Sequence, residues 1–76
     1  MEFEKLRSII CNVLDLEESD VTMESKFVDD LNADSLDFVE IIVEIEATFD
    51  LVFDDEAAAD IVTVADAVEK IKAAIA

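Results

Sequence analysis

The chain has 76 residues, with 21 acidic and 5 basic side chains and a formal net charge of −16. At this length we predict one small domain, residues 1–76, and the 54% hydrophobic content allows a buried core, unlike in disordered acidic chains. The charge excludes binding to nucleic acid or to an anionic membrane surface, because both would repel it, and it favours basic protein partners.

Cys11 is the single cysteine, which excludes an internal disulfide and indicates an incidental, partly exposed thiol. No apolar run approaches the roughly 18 residues that a membrane helix needs, and residues 1–5 lack the basic-then-apolar pattern of a secretion signal. We therefore expect a cytoplasmic monomer that does not insert into membranes.

A first helix is predicted over about residues 2–15, because apolar side chains recur there at spacings of three and four. Residues 16–33 lose this period, which predicts a long loop held to the core by scattered apolar anchors. The anchors are Leu16, Val21, Met23, Phe27, Val28 and Leu31. A connection of this length is usually functional.

The second helix is predicted from Asp34 to about Asp50, with Asp34 as its N-cap and Asp37 in a first turn where negative charge suits the helix dipole. At about 100° per residue this helix has a core face and an outer face. The core face comprises Phe38, Ile41, Ile42, Ile45 and Phe49. The outer face comprises an acidic row, Asp37, Glu40 and Glu44, and an apolar row, Leu36, Val39 and Val43. Such a surface either docks on an apolar patch rimmed by Lys and Arg or merely solvates the outside of a bundle.

A brief third helix is predicted from the acidic start Asp54-Asp55-Glu56 through Ala57 to Asp60, and a fourth over Val64–Ala74, capped by Thr63. The fold class is therefore all-α: a small four-helix bundle of three main helices and one short helix, with a long loop between the first and second. The chain contains neither glycine nor proline, so its turns depend on Asn, Asp and Ser.

Ser35 lies at the start of the second helix, where backbone N–H groups and the helix dipole can hold an anion such as a phosphate ester. The chain has no histidine to act as a base, so we do not expect Ser35 to be a catalytic nucleophile. The spacing of Asp30, Asn32 and Asp34 is that of a calcium loop, but Ser35 and Ile41 replace its glycine and its glutamate, so no metal site is predicted. On these residues alone, we interpret Ser35 simply as a first-turn residue.

The stretch Phe27–Asp37, continuing through Val39-Glu40 and Glu46 to Phe49-Asp50, resembles the acyl carrier protein family around its prosthetic-group attachment site. The similarity extends over essentially the whole chain. It implies that Ser35 receives 4′-phosphopantetheine from coenzyme A through a separate phosphopantetheinyl transferase. It also implies that the flanking Asp34 and Leu36 are read by that transferase and by other partners.

The resemblance further implies a carrier of acyl intermediates, which are held as thioesters and passed among enzymes of fatty acid or related lipid or polyketide biosynthesis. Such a carrier is not itself an enzyme. Basic patches on these acyl-transfer and synthase enzymes would engage a recognition helix. Its matching positions are Leu36, Val39, Glu40, Val43 and Glu46, to which the acidic row adds Asp37 and Glu44. The positions that match the family's acyl-chain pocket are Phe27, Ile41, Ile45, Phe53 and Ile61.

Four residues depart from the family's common pattern, and they leave the cargo open. Asn32 stands in place of a glycine, where it can still adopt a left-handed backbone, and Asp54 replaces a proline. Ala47 replaces a glutamate, and Phe53 is bulkier than the usual aliphatic residue. A specialised carrier of peptidyl, aminoacyl or polyketide cargo and an unmodified acidic interaction module are the alternatives.

Overall fold

The computed structural model describes residues 2–75 as four α-helices and one short 3₁₀ turn. The helices are α1, Glu2–Leu14; α2, Ser35–Phe49; α3, Asp55–Ala59; and α4, Val64–Ile75, with the 3₁₀ turn at Glu18–Asp20. Within residues 2–75 no strand forms, and Lys26 and Thr63 make an isolated antiparallel bridge. The all-α class, with three main helices, one short helix and a long loop between α1 and α2, is confirmed.

The core lies where α1, α2 and α4 meet. Its fully buried side chains are Leu6, Ile10, Ile41, Ile45, Val64, Ala67 and Ile71. Full burial of one large aliphatic side chain contributes about 1.5–3 kcal/mol, so these three helices supply most of the hydrophobic stabilisation. The five-residue α3 contributes no buried residue.

The long loop follows the predicted anchors only in part. Met23 and Val28 were predicted as anchors, which is wrong, because they are 38% and 66% exposed. The N–H groups of Asp30 and Leu31 both donate to the Lys26 carbonyl, at 2.9 and 3.0 Å, and close a helix-like turn. Phe27 and Leu31, four residues apart on this turn, are therefore both buried, while Val28 points outward.

Backbone hydrogen bonds join the long loop to the segment that enters α4. The Phe27 N–H donates to the Val62 carbonyl at 3.0 Å, and the Val64 N–H donates to the Ser25 carbonyl at 2.9 Å. These bonds satisfy backbone groups that would otherwise be costly to bury. They also place Phe27, which precedes α2 in the chain, beside residues 61–62.

Three non-glycine residues with positive φ shape the turns of this glycine-free chain. Asp15, Asn32 and Asp50 have φ values of 56°, 55° and 54°. Asp15 and Asp50 follow α1 and α2, and the next residue in each case, Leu16 or Leu51, donates its N–H back five residues into the helix. Both ends have the Schellman pattern, in which glycine is the usual left-handed residue. The left-handed conformation predicted for Asn32 is confirmed.

The last two helices begin at side-chain caps. Asp54 Oδ1 accepts the Ala57 N–H at 2.7 Å, so Asp54 is the N-cap and α3 begins at Asp55, within the predicted acidic start. Thr63 caps α4 as predicted, with its Oγ1 accepting the Asp66 N–H at 3.1 Å. Hydrogen bonds from the Thr63 and Val62 N–H groups hold the pKa of the Asp66 carboxyl below its ordinary value.

Candidate functional site

Ser35 is the first residue of α2, and its side chain is exposed. The preceding Asp34 has an extended backbone, and its Oδ1 accepts the Asp37 N–H at 2.8 Å. The Asp37 carboxylate accepts in return from the Asp34 N–H, at 3.4 Å, which completes a capping box around the serine. The Ser35 hydroxyl is thus exposed to solvent at a helix N-terminus. The reciprocal hydrogen bonds of Asp34 and Asp37, one residue before and two residues after the serine, fix the backbone there.

The turn before α2 determines where this serine lies. Left-handed Asn32 reverses the chain, and the Ala33 N–H then donates to the Phe27 carbonyl at 2.8 Å. Ala33 is buried, so its small side chain anchors the turn against the core. The consequence is that Ser35 starts α2 directly above the loop that carries Phe27.

A mostly apolar cavity of about 400 Å³ opens beside Ser35, and we call it the proximal cavity. It lies between the loop before α2, the first turn of α2 and the segment that runs from the end of α3. Its lining residues are Lys26, Phe27, Val28, Asp29, Ala33, Asp34, Ser35, Phe38, Ala58, Ala59, Ile61 and Val62. An apolar space with a few polar groups at one end is the usual form of a small-molecule site.

A second space of about 260 Å³, the distal groove, lies further along α2 against the start of α3. Its lining residues are Phe38, Val39, Ile42, Val43, Glu46, Phe53, Asp54, Asp55 and Ala58. The α2 residues that line it are mostly apolar, and Asp54 and Asp55 line it from the start of α3. The distal groove shares Phe38 and Ala58 with the proximal cavity.

The residues predicted for the pocket fall in three places. Phe27 and Ile61 line the proximal cavity, and Phe53 lines the distal groove. Ile41 and Ile45 are fully buried and line neither space.

Sequence reasoning placed Phe38 on the core face and did not include it, Ala58 or Val62 among the pocket residues. The run Ala57-Ala58-Ala59 was the available signal for Ala58, because alanines opposite a helix leave space that larger side chains would fill.

On the outer face of α2 the apolar row is exposed, and in the acidic row Glu40 and Glu44 are exposed whereas Asp37 is half-buried. Leu36, Val39 and Val43 are 67%, 55% and 54% exposed, an unusual set of apolar side chains on one helix face. Glu40 and Glu44 border a groove of about 420 Å³ whose other wall is formed by Ile9, Asn12 and Val13 of α1.

Glu46 has a contact that its place in the sequence did not predict. Its Oε2 accepts the Phe53 N–H at 2.8 Å, so this half-buried carboxylate holds the segment between α2 and α3. Any role of Glu46 in recognition would compete with this hydrogen bond. Asp37 is similarly occupied in the capping box.

The charges around the site are almost all negative. From Phe27 to Glu69 the sequence contains no lysine or arginine, and Lys26 is the basic residue among those lining the proximal cavity. Such a surface attracts basic partners at rates that decline as salt screens the charges.

Cys11 lies apart from this site, on α1. Its pKa is raised, chiefly by burial and further by the Glu18 carboxylate, so the thiolate form is disfavoured.

Residues 2–75 contain neither a grouped set of metal ligands nor a membrane-spanning helix. No three or more His, Cys, Asp or Glu side chains in that range are grouped as a metal site would require. None of the helices that the structure describes has the length and apolar character to cross a membrane.

Comparison with known proteins gives consistent matches across this site. The family described as "Phosphopantetheine attachment site" matches residues 4–71. A protein named "Acyl carrier protein" from Clostridium acetobutylicum is 47% identical over 73 residues, which cover 96% of this chain and 95% of that protein. Proteins of the same name from two strains of Clostridium perfringens, SM101 and ATCC 13124, are 48% identical over 69 residues, or 91% of each chain.

Proposed function

The chain belongs to the acyl carrier protein family, and on that premise we propose that Ser35 bears the 4′-phosphopantetheine group and that the chain passes acyl thioesters between biosynthetic enzymes. Members of this family are carriers rather than catalysts. The observation that carries the assignment to Ser35 is its exposed hydroxyl at the first position of α2, beside an apolar cavity of about 400 Å³.

The residues around Ser35 fit the group. In the attachment step the serine oxygen forms a bond to phosphorus and the pyrophosphate bond of coenzyme A breaks. Adenosine 3′,5′-bisphosphate and the hydroxyl proton leave, and the product on the protein is an anionic phosphodiester. The free N–H groups and the dipole at the start of α2 stabilise such an anion. Because Asp34 is held by Asp37, the serine keeps one orientation towards the transferase.

When bound, the prosthetic group supplies a terminal thiol that holds an acyl group as a thioester. The protein supplies the shelter for the cargo, through Phe27 and Ile61 in the proximal cavity and Phe53 in the distal groove. Each methylene that these side chains remove from water contributes about 0.8 kcal/mol. Ile41 and Ile45 would touch the cargo only if the helices of the core parted.

We infer that partners dock on the outer face of α2. Exposed Leu36, Val39 and Val43 offer apolar contact, and Glu40 and Glu44 offer charge to a patch rimmed by Lys and Arg. Such partners are the phosphopantetheinyl transferase and the acyl-transfer and synthase enzymes. Weak, electrostatically steered binding suits a carrier, because the carrier must dissociate from each enzyme after the acyl group has reacted there. The cytoplasmic location and the monomeric state stay predictions.

Intact-mass measurement tests the attachment at Ser35. After incubation with coenzyme A, magnesium and a phosphopantetheinyl transferase, we expect a gain of roughly 340 Da, the mass of the prosthetic group. Ser35→Ala should abolish the gain, whereas Ser8→Ala, which removes an exposed hydroxyl from α1, should retain it. The assignment fails if Ser35→Ala is still modified, or if a transferase active on another carrier leaves the protein unmodified.

The cargo is tested by loading the modified protein with malonyl, longer acyl and aminoacyl donors. Fatty acid synthesis predicts efficient malonyl and acyl loading. Preferential aminoacyl loading would indicate a peptidyl carrier instead. A chain that no transferase modifies would be an acidic interaction module.

A further inference from the structure

We propose that Phe38 limits the length of the acyl chain this protein shelters, by standing between the proximal cavity and the distal groove. The inference rests on the proposed attachment at Ser35 and adds a specificity-determining residue to it. Phe38 is half-buried on α2, three residues after Ser35, so both side chains lie on neighbouring parts of one helix face.

The residues that line the two spaces show where the proximal cavity and the distal groove meet. Of the residues that line the proximal cavity and those that line the distal groove, Phe38 and Ala58 are the two that belong to both. One lies on α2 and the other on α3, so together they form the wall that separates the spaces. Because Ala58 contributes only a methyl group, the width of the passage depends on the Phe38 ring.

Phe27 holds that ring in place. The ring centroids of Phe27 and Phe38 are 5.5 Å apart with an angle of 74° between the planes, an edge-to-face contact. Phe27 is 1% exposed, and its backbone N–H is bonded to Val62, so it is a fixed support. Opening the passage requires Phe38 to leave this contact.

The arrangement has a direct consequence for cargo. Short chains fit within the proximal cavity and leave Phe38 in place. A longer chain either displaces the ring or leaves its end in water. Each methylene left in water lowers the equilibrium constant for burying the chain about fourfold, relative to a chain that is buried completely. A smaller side chain at position 38 would join the two spaces, about 400 and 260 Å³, into one site.

The experiment compares acyl chains of increasing length on the wild-type protein and on Phe38→Ala. Each protein is loaded with butyryl, octanoyl, dodecanoyl or hexadecanoyl groups, and loading is verified by intact mass. The rate of thioester cleavage by hydroxylamine then reports exposure, and the melting temperature reports burial of the chain. We expect wild-type protection to rise and then level off with length, whereas in Phe38→Ala it continues to rise, reaching at least about tenfold slower cleavage for the hexadecanoyl form.

Phe49→Ala is the matched control, because Phe49 is a half-buried phenylalanine of the same helix that lines neither space. It should lower the melting temperature without changing how protection depends on length. Phe38→Leu keeps most of the packing, and we expect it to shift the levelling point to longer chains even if Phe38→Ala does not fold. Ala58→Leu narrows the passage between the two spaces from the α3 side and should shift the levelling point to shorter chains.

The outcomes separate this inference from its premise. Absence of the mass gain at Ser35 would overturn the attachment itself. Normal loading, with the same length profile in wild type, Phe38→Ala and Phe38→Leu, would overturn the role of Phe38 and leave the carrier function intact. An equal change in Phe49→Ala would likewise overturn it, because general loosening would then explain the effect.

Discussion

The two sides of α2 differ in how completely they are packed. Towards α1 and α4, Ile41 and Ile45 are fully buried in the core and line neither the proximal cavity nor the distal groove. Towards α3, half-buried Phe38 borders both of these spaces and half-buried Ile42 borders the distal groove. One helix therefore contributes to stability on one side and to cargo binding on the other. Substitutions on the two sides should separate these properties.

The largest expected effect comes from emptying the packed side. Ile45→Ala removes fully buried methylenes and leaves a cavity, so the free energy of unfolding should fall by about 2–5 kcal/mol. Phe53→Ala, at the wall of the distal groove, should cost about 1–2 kcal/mol, because the side chain is half-buried beside space that already exists.

Urea unfolding followed by circular dichroism measures both values. The buffer should contain salt, since a net charge of −16 destabilises the folded chain at low ionic strength. Equal costs for the two substitutions would contradict the distinction between a packed side and an open side.

A smaller effect is expected at the end of α2. Asp50 has a left-handed backbone, with φ of 54°, and places a negative charge at the negative end of the helix dipole. Asp50→Gly should therefore raise the free energy of unfolding by about 1 kcal/mol, since glycine adopts this conformation without steric cost. Asp50→Asn is the control that removes the charge alone, and it should recover part of the gain. Loss of stability in the glycine variant would show that the Asp50 side chain makes a contact of its own.

The smallest effect is expected on the outer face. Glu40→Lys should slow transferase modification two- to fivefold at low salt, the range of about 0.5–1 kcal/mol typical of exposed ion pairs, while helical content stays unchanged. The difference should shrink as added salt screens the charges. Glu24→Lys makes the same charge change at an exposed position in the long loop, and it should leave the rate close to wild type. Equal slowing by both variants would indicate that net charge matters rather than the α2 surface.

The local features of the fold were predictable because each depends on residues close together in the chain. Helical spacing predicted α1, α2 and α4, and the caps at Asp34 and Thr63 were identified from side chains that reach backbone groups three residues away. The left-handed backbone of Asn32 was predicted from the resemblance, because Asn stands where the family has glycine and is the next best residue for that conformation. The predictions for Met23 and Val28 were wrong because the loop has no regular spacing of apolar residues. In such a segment the hydrogen bonds of the loop itself decide which side chains face inward.

The sequence by itself determined the helices, the acidic surface and, through the resemblance of Phe27–Asp37, the family, since motif, periodicity and charge are all properties of neighbouring residues. The tertiary structure alone decided which apolar residues surround open space. Phe38 and Ala58 are twenty positions apart, and they share a wall only because the loop is bonded to the start of α4 and α3 lies beside α2. A cavity is space that the packed helices and loops leave unfilled. The spacing of apolar residues within one helix carries no information about how closely the neighbouring helix or loop packs against it.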